Sequence, residues 1–336
     1  MSIKNTILIS LTLIIGITIG FIANNYYHKT AETKLNKIYE ERHEGMSKLI
    51  NPLLACDVAA EVLSDPELGI FKKDVEQYLN TRISKHDAQK VSVYFRELND
   101  GLWFSIGDTE KYVPASLRKI PLMIALLKQS ENDKILLERE VKFEVPTDNN
   151  LKQNIKPSHS LVAGNMYTIR DLIYRMVVYS DNDAFFYLTK IVNPDELKKV
   201  YSSLRMLDLP LNKSDSFLSI QTYESFFRIL YNASYLTHDA SNWALDLMTS
   251  SEFKAGLIAG VPSTVKVAHK FGEHSEESNT PVQLHDCGII YYPKHPYLLC
   301  VMTQGTDMNL LADVIAGVSR TVYTEINNQA NAQSTH

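Results

Sequence analysis

The chain has 336 residues, of which 45% are hydrophobic and 22% charged, and a formal net charge of −5. This is the composition of a folded globular protein, and the absence of a basic stripe excludes a nucleic-acid partner. The length allows two domains, but the first sixty or so residues read differently from the rest and leave about 260 for one globular unit of ordinary size.

Residues 6–23, TILISLTLIIGITIGFIA, form an apolar run preceded by Lys4 and the α-amino group. At about 1.5 Å rise per residue such a run just covers a bilayer core, as a signal peptide or a signal anchor. A cleavage site needs small residues at alternate positions, yet Phe21 stands where one is required, and no Cys follows to take a lipid. An uncleaved single-pass anchor over residues 1–24 is therefore expected. Lys29, Lys34 and Lys37 beyond the run outnumber Lys4 before it, which by the positive-inside count argues against export. The chemistry below argues for it. Residues 25–66 are charged and helix-prone, as in a juxtamembrane stalk, with a short apolar patch at 50–54.

Phe71, Val75, Tyr78, Leu79 and Ile83 recur at helical spacing. A hairpin follows: Val91, Val93 and Phe95 alternate, Asn99-Asp100-Gly101 turns, and Leu102, Phe104 and Ile106 alternate again. From Ser116 to about Ser251 the pattern is helical, with Thr168 and Asp171 as a capping box and Asn193-Pro194 as a cap and first-turn pair. Residues 265–270, 282–292 and 297–303 read as strands, 309–326 as a closing amphipathic helix, and 329–336 as a disordered tail. Two strands, a helical insertion, three strands and a terminal helix make an α+β fold. Its five-stranded antiparallel sheet is flanked by helices and carries an all-helical insertion, within a domain over residues 67–328. Three cysteines, Cys56, Cys287 and Cys300, are too few for a disulfide framework. Cys287 and Cys300 lie in strand-like segments and read as buried small hydrophobes, and a bridge from Cys56 to one of them stays open in an oxidising compartment. The ten histidines are scattered, no metal-ligand spacing stands out, and neither metal nor cofactor is expected.

Ser116-Leu117-Arg118-Lys119 opens an apolar-periodic helix, and Ser to Lys at i, i+3 puts a hydroxyl and an amine on one helical face. A serine is a weak nucleophile until a base takes its proton, and a lysine serves only if burial or nearby cations lower its pKa. S-x-x-K recurs at Ser251–Lys254 and Ser263–Lys266, so the pair alone is a weak signal. Ser180-Asp181-Asn182 follows an apolar helix, where such a cluster commonly caps the next one. Lys270-Phe271-Gly272 follows an apolar strand, where a terminal lysine before a glycine turn is ordinary. Order and spacing give the three meaning together: 64 positions separate Ser116 from Ser180, and 90 separate Ser180 from Lys270.

In that order the motifs resemble the S-x-x-K, S-D-N and K-T-G set of class A β-lactamases and penicillin-binding proteins, over residues 65–327. The resemblance implies a β-lactamase/transpeptidase-like fold and an acyl-enzyme on Ser116, with Lys119 as acylation base and Ser180 passing a proton to the leaving nitrogen. Asn182 would bind the substrate's side-chain amide, and Lys270 its carboxylate. The backbone N–H groups of Ser116 and Glu273 would form the oxyanion hole, with Phe271 and Gly272 beside them. The substrate would be a β-lactam or a peptidoglycan peptide, met by an extracytoplasmic domain at the bacterial cytoplasmic membrane. Two departures stand out. Phe271 replaces the hydroxyl residue that would bind the substrate carboxylate, a loss of about 1.5–3 kcal/mol, so that recognition is expected to weaken or pass to His269 or His274. The E-x-x-L-N loop that supplies a deacylating glutamate is missing, and Asp215 is the sole carboxylate near its place, so an acyl-enzyme is expected to persist.

Overall fold

The structure, a computed structural model, describes residues 49–51, 66–144, 149–151, 153–204, 217–275 and 281–333. Residues 6–23, Cys56 and Asp215 lie outside them. Among the described residues no helix is long and apolar enough to cross a membrane, and no cluster of His, Cys, Asp and Glu is placed to hold a metal.

The sheet has five antiparallel strands: β1 (Lys90–Glu97), β2 (Trp103–Ile106), β5 (Val267–His274), β6 (Val282–Ile290) and β7 (Tyr297–Gly305), in the order β2-β1-β7-β6-β5. The hairpin closes as its sequence dictates, with Gly101 at φ +79° and Asp100 accepting from the Leu102 amide. β1 is buried on both faces, because helices cover both sides of the sheet. Val93, Phe95, Val301 and Leu299 pack against α1 (Pro66–Ser84) and the closing helix α8 (Met308–Gln333). Tyr94, Cys287, Ile289 and Met302 on the other face meet the helical insertion.

That insertion begins with a 310 turn (Ala115–Arg118) running into α2 (Lys119–Asn132), whose Leu122, Met123, Ile124 and Leu126 lie at the centre of the larger core. The remaining helices are α3 (Ile169–Val178), α4 (Asn182–Ile191), α5 (Pro194–Ser203), α6 (Ile220–Tyr231) and α7 (His238–Thr249). The expected caps form: Thr168 accepts from the Asp171 amide and Asn193 from the Asp195 amide. A small ribbon of β3 (Glu140–Lys142) and β4 (Met166–Thr168) was not legible, since three-residue strands carry too little alternation.

Three expectations are corrected. Cys287 and Cys300, facing each other across β6 and β7, form a disulfide with Cα atoms 4.0 Å apart, rather than standing as free buried thiols. α8 runs through Gln333 into the expected tail, where Gln329 donates to Glu325 one turn back. Within the expected stalk, Leu49 and Ile50 are buried, and Asn51 donates to the Tyr231 carbonyl while Tyr291 donates to that of Leu49.

Gly260 lies where α8 passes closest, and a Cβ there would come within 2.5 Å of the Ala316 carbonyl and 2.7 Å of the Arg320 amide. Backbone cannot yield as a side chain can, so Gly260→Ala is expected to destabilise the fold by about 1–3 kcal/mol in urea unfolding.

Candidate active site

The chain reaches Ser116 over the face of the sheet, where two β6 side chains hold the backbone of Val113. Its N–H donates to Gln283 Oε1 (3.0 Å) and its carbonyl accepts from His285 Nε2 (3.1 Å). The His285 tautomer follows from its other nitrogen, since Nδ1 accepts from the Thr303 amide. Burial pushes the pKa of this histidine down to about 4, so it stays neutral. Ala115 then takes φ +48°, a left-handed conformation unusual for a residue with a Cβ. β5 closes on the turn from the other side: a Cβ on Gly272 would lie 3.0–3.2 Å from Leu117 and the Pro114 carbonyl. Any side chain there would push β5 away from Ser116.

Ser180 approaches from the α3–α4 corner, itself at φ +56°. Asp181 caps α4 by accepting from the Asp183 and Ala184 amides. The motif is thus a helix cap and part of the site at once. The loop before α3 clamps this corner: Asn150 Oδ1 accepts from the Asn182 amide (2.7 Å), its Nδ2 donates to Asp181, and Gln153 Nε2 donates to the Ser180 carbonyl (3.0 Å). These amide residues were not singled out from the sequence. Their signal was the Asn149-Asn150 and Gln153-Asn154 doublets in a polar loop.

The centre is the Ser180 hydroxyl. It accepts from Lys119 Nζ and from Lys270 Nζ, each at 3.0 Å, and donates to Ser116 Oγ at 3.2 Å. One donor and two lone pairs are thereby used in full. Lys119 also donates to the Ser180 carbonyl (2.5 Å) and to Asn182 Oδ1 (2.8 Å). The direct Lys119–Ser116 contact expected from the i, i+3 spacing is replaced by this relay, because the amine is drawn to three oxygens of the second motif. Both lysines are buried, and each is 3.0 Å from one oxygen. Two ammonium charges roughly 5–6 Å apart repel by about 3 kcal/mol at an effective dielectric of about 20. Burial, and then the charge of Lys270, hold Lys119 well below the usual lysine range. Burial brings Lys270 to about 7, against the pull of Asp286 and Glu273 in the opposite direction.

A cleft of about 610 Å³ opens over Ser116. Arg118 and Lys119 line one side, Asn149 and Gln153 the top, Asn182, Phe185 and Phe186 of α4 a second wall, and Glu273, His274 and Ser275 a third. Phe271 is not part of the lining: its ring stacks on Phe253 at 4.4 Å in the core on the far face of the sheet. Neither is His269, which is fully buried with Nδ1 on Asp286 at 2.9 Å. Of the two histidines expected to take over carboxylate binding, only His274 reaches the cleft. The sequence thus brings together Ser116, Lys119, Ser180, Asn182, Lys270, Gly272 and Glu273, and leaves Phe271 and His269 behind the sheet.

A family model described as the beta-lactamase enzyme family matches residues 74–326. No curated protein matches the sequence. Among solved structures, PBP-A is 17% identical with a TM-score of 0.63, covering 76% of this chain and 96% of its own. The TLA-3 extended-spectrum beta-lactamase is 17% identical with a TM-score of 0.66 (77% and 98% covered). The beta-lactamase from Sphaerobacter thermophilus DSM 20745 is 19% identical with a TM-score of 0.64 (75% and 96%). A variant of PBP-A was solved as an acyl-enzyme complex with penicillin G, and is 18% identical with a TM-score of 0.62 (76% and 97%).

A neutral Lys119 is what the relay needs in order to accept a proton. Labelling of Ser116 by a fluorophosphonate is therefore expected to rise with pH and level off above the lowered lysine pKa. Lys270→Met removes a positive neighbour, which raises the Lys119 pKa and moves the rising limb to higher pH. A limb that stays in place or moves to lower pH, followed by intact mass across pH 5–10, would show that Lys119 is not the titrating group.

Proposed function

Because the chain belongs to the beta-lactamase enzyme family, we propose that it is a serine hydrolase that forms an acyl-enzyme on Ser116 with β-lactams or D-alanyl peptides and releases it slowly. In this reading it is tethered by residues 6–23 at the outer face of the bacterial cytoplasmic membrane. The observation that carries the chemistry is the Ser180 hydroxyl, hydrogen-bonded at once to Ser116 and to two buried lysines. The Cys287–Cys300 disulfide supports an oxidising compartment and hence the exported orientation.

A neutral Lys119 has two N–H bonds and one lone pair. Donating to the Ser180 carbonyl and to Asn182 leaves the lone pair for the Ser180 hydroxyl, whose proton rotates to suit. As Ser116 Oγ attacks the acyl carbon, its proton passes to Ser180 and the Ser180 proton to Lys119. The oxyanion is held by the backbone N–H groups of Ser116 and Glu273, one on the 310 turn and one on the edge strand that Gly272 lets close upon it. Collapse breaks the bond to the leaving nitrogen, which takes its proton from Ser180 as Lys119 returns one to the relay. Asn182, its Oδ1 held by Lys119 and one Nδ2 hydrogen on the Asn149 carbonyl at 3.2 Å, has its second Nδ2 hydrogen for the substrate's amide carbonyl.

Hydrolysis needs a base for water after the amine has left. Among the described residues lining the cleft, Glu273 is the one carboxylate, and its Oε1 is engaged by the Ile155 amide at 2.8 Å. With no free carboxylate beside the ester among the described residues, water attack is slow and the acyl-enzyme accumulates. Intact-mass spectrometry with benzylpenicillin is expected to show a one-to-one adduct that persists for hours, and none with Ser116→Ala. An adduct that clears while the drug is consumed would make the protein a true β-lactamase using another base. No adduct on the intact protein would remove the acyl-enzyme reading.

A further inference from the structure

A substrate anion needs a cation that the cleft exposes, and Lys270 is not one. Its ammonium is fully buried, donates to Ser180 Oγ (3.0 Å) and to the Phe271 carbonyl (2.8 Å), and lies 4.1 Å from the centre of the Phe271 ring, which takes up its third direction. It stands behind the residues that line the cleft. Lys119 does reach the lining, but it directs its N–H bonds at the Ser180 carbonyl and at Asn182.

The cation left open to the cleft is Arg118. Its Nε donates back to the carbonyl of Ala115, the residue before the nucleophile, at 3.3 Å, and its guanidinium carbon lies 5.8 Å from the centre of the Phe185 ring. These two contacts anchor the guanidinium where its side of the cleft meets the α4 wall of Asn182, Phe185 and Phe186. The N–H bonds of its two Nη atoms meet no acceptor among the described residues, and no described carboxylate pairs with it. A planar fork of donors held by its stem fits a carboxylate with two parallel hydrogen bonds. Its charge is also felt at Lys119, whose protonated form it disfavours, so the guanidinium stands near the reacting centre. Opposing charge is turned away from the cleft. Glu273, the one carboxylate among the described lining residues, has Oε1 on the Ile155 amide and Oε2 shut off from solvent.

The two sides of Ser116 take different parts of a substrate: the leaving group lies towards Ser180 and β5, and the acyl side chain towards Asn182 on α4. We infer that the acyl donor carries a carboxylate on its acyl side chain, and that Arg118 binds it and selects for it. This rests on the acylation of Ser116 proposed above and narrows its substrates to compounds that are anionic on the acyl side.

Carbenicillin is benzylpenicillin with one carboxylate added to the α carbon of the side chain. The second-order rates at which the two add to Ser116 can be compared by intact mass, at a pH on the plateau where Lys119 is already neutral. Carbenicillin is expected to add about tenfold faster, the weight of one charge-assisted hydrogen bond partly open to water. In Arg118→Gln the two rates are expected to come within about threefold of each other. The rise in the Lys119 pKa that follows loss of Arg118 acts on both compounds alike and leaves their ratio unchanged. Carbenicillin adding less than about threefold faster than benzylpenicillin in the unmutated protein would overturn the inference, whether or not the variant folds. A preference for carbenicillin that survives unchanged in a folded Arg118→Gln would overturn the assignment to Arg118. Failure of both compounds to add would instead defeat the acylation reading on which the inference stands.

Discussion

One hydroxyl group organises the site. Ser180 Oγ can accept twice and donate once, and the fold supplies two lysines and one serine for those three positions. The partners come from two distant parts of the chain: Ser116 and Lys119 from the 310 turn and the start of α2 that continues it, and Lys270 from the edge strand. Burying two amines around one oxygen is tolerable only if their combined charge is reduced, and burial and mutual repulsion reduce it. The property that makes the arrangement expensive as structure, a lowered Lys119 pKa, is the one that would suit Lys119 to the base role proposed above.

The surroundings can be understood as the means of holding that expensive arrangement. Ala115 and Ser180 both sit at positive φ, which costs about 1–3 kcal/mol for each residue and persists only where the neighbourhood over-determines it. Gln283 and His285 fix both backbone groups of Val113 ahead of Ala115, and Gln153, Asn150 and the Asp181 cap fix the corner around Ser180. These are polar contacts to backbone, made by side chains from strands and loops distant in sequence.

That division explains what the sequence made legible. The hairpin, the positions of the five strands and most helices follow from periodicity and turn chemistry, which are local, whereas the order of the strands, with β1 beside β7, is set by long-range pairing. The order of Ser116, Ser180 and Lys270 found the centre because a family pattern is itself a record of a three-dimensional arrangement. The direction in which Phe271 points is a different kind of fact: alternation along β5 sends its ring to one face of the sheet, but which side carries the cleft is decided by where the helical insertion packs. Asn150 and Gln153 were hidden for a similar reason, since a polar loop reads as solvent-facing until the corner it grips is known. The Cys287–Cys300 pair needed the register of β6 on β7, which spacing of 13 residues alone does not determine.

The docking of residues 49–51 has a mechanical consequence. The Leu49 carbonyl is tied to Tyr291, just past the end of β6, while the cleft wall at Glu273 pairs with Leu284, near the beginning of that strand. At about 3.3 Å per residue the two lie roughly 20–25 Å apart along β6. A pull transmitted through the chain from upstream of Leu49 therefore enters the body at the far end of the sheet, where two hydrogen-bonded residues and a pair of buried apolar side chains take the load. The relay around Ser180 lies away from that point, so under the tethering proposed above a pull would meet the contacts of Leu49 and Asn51 before it reached Ser116.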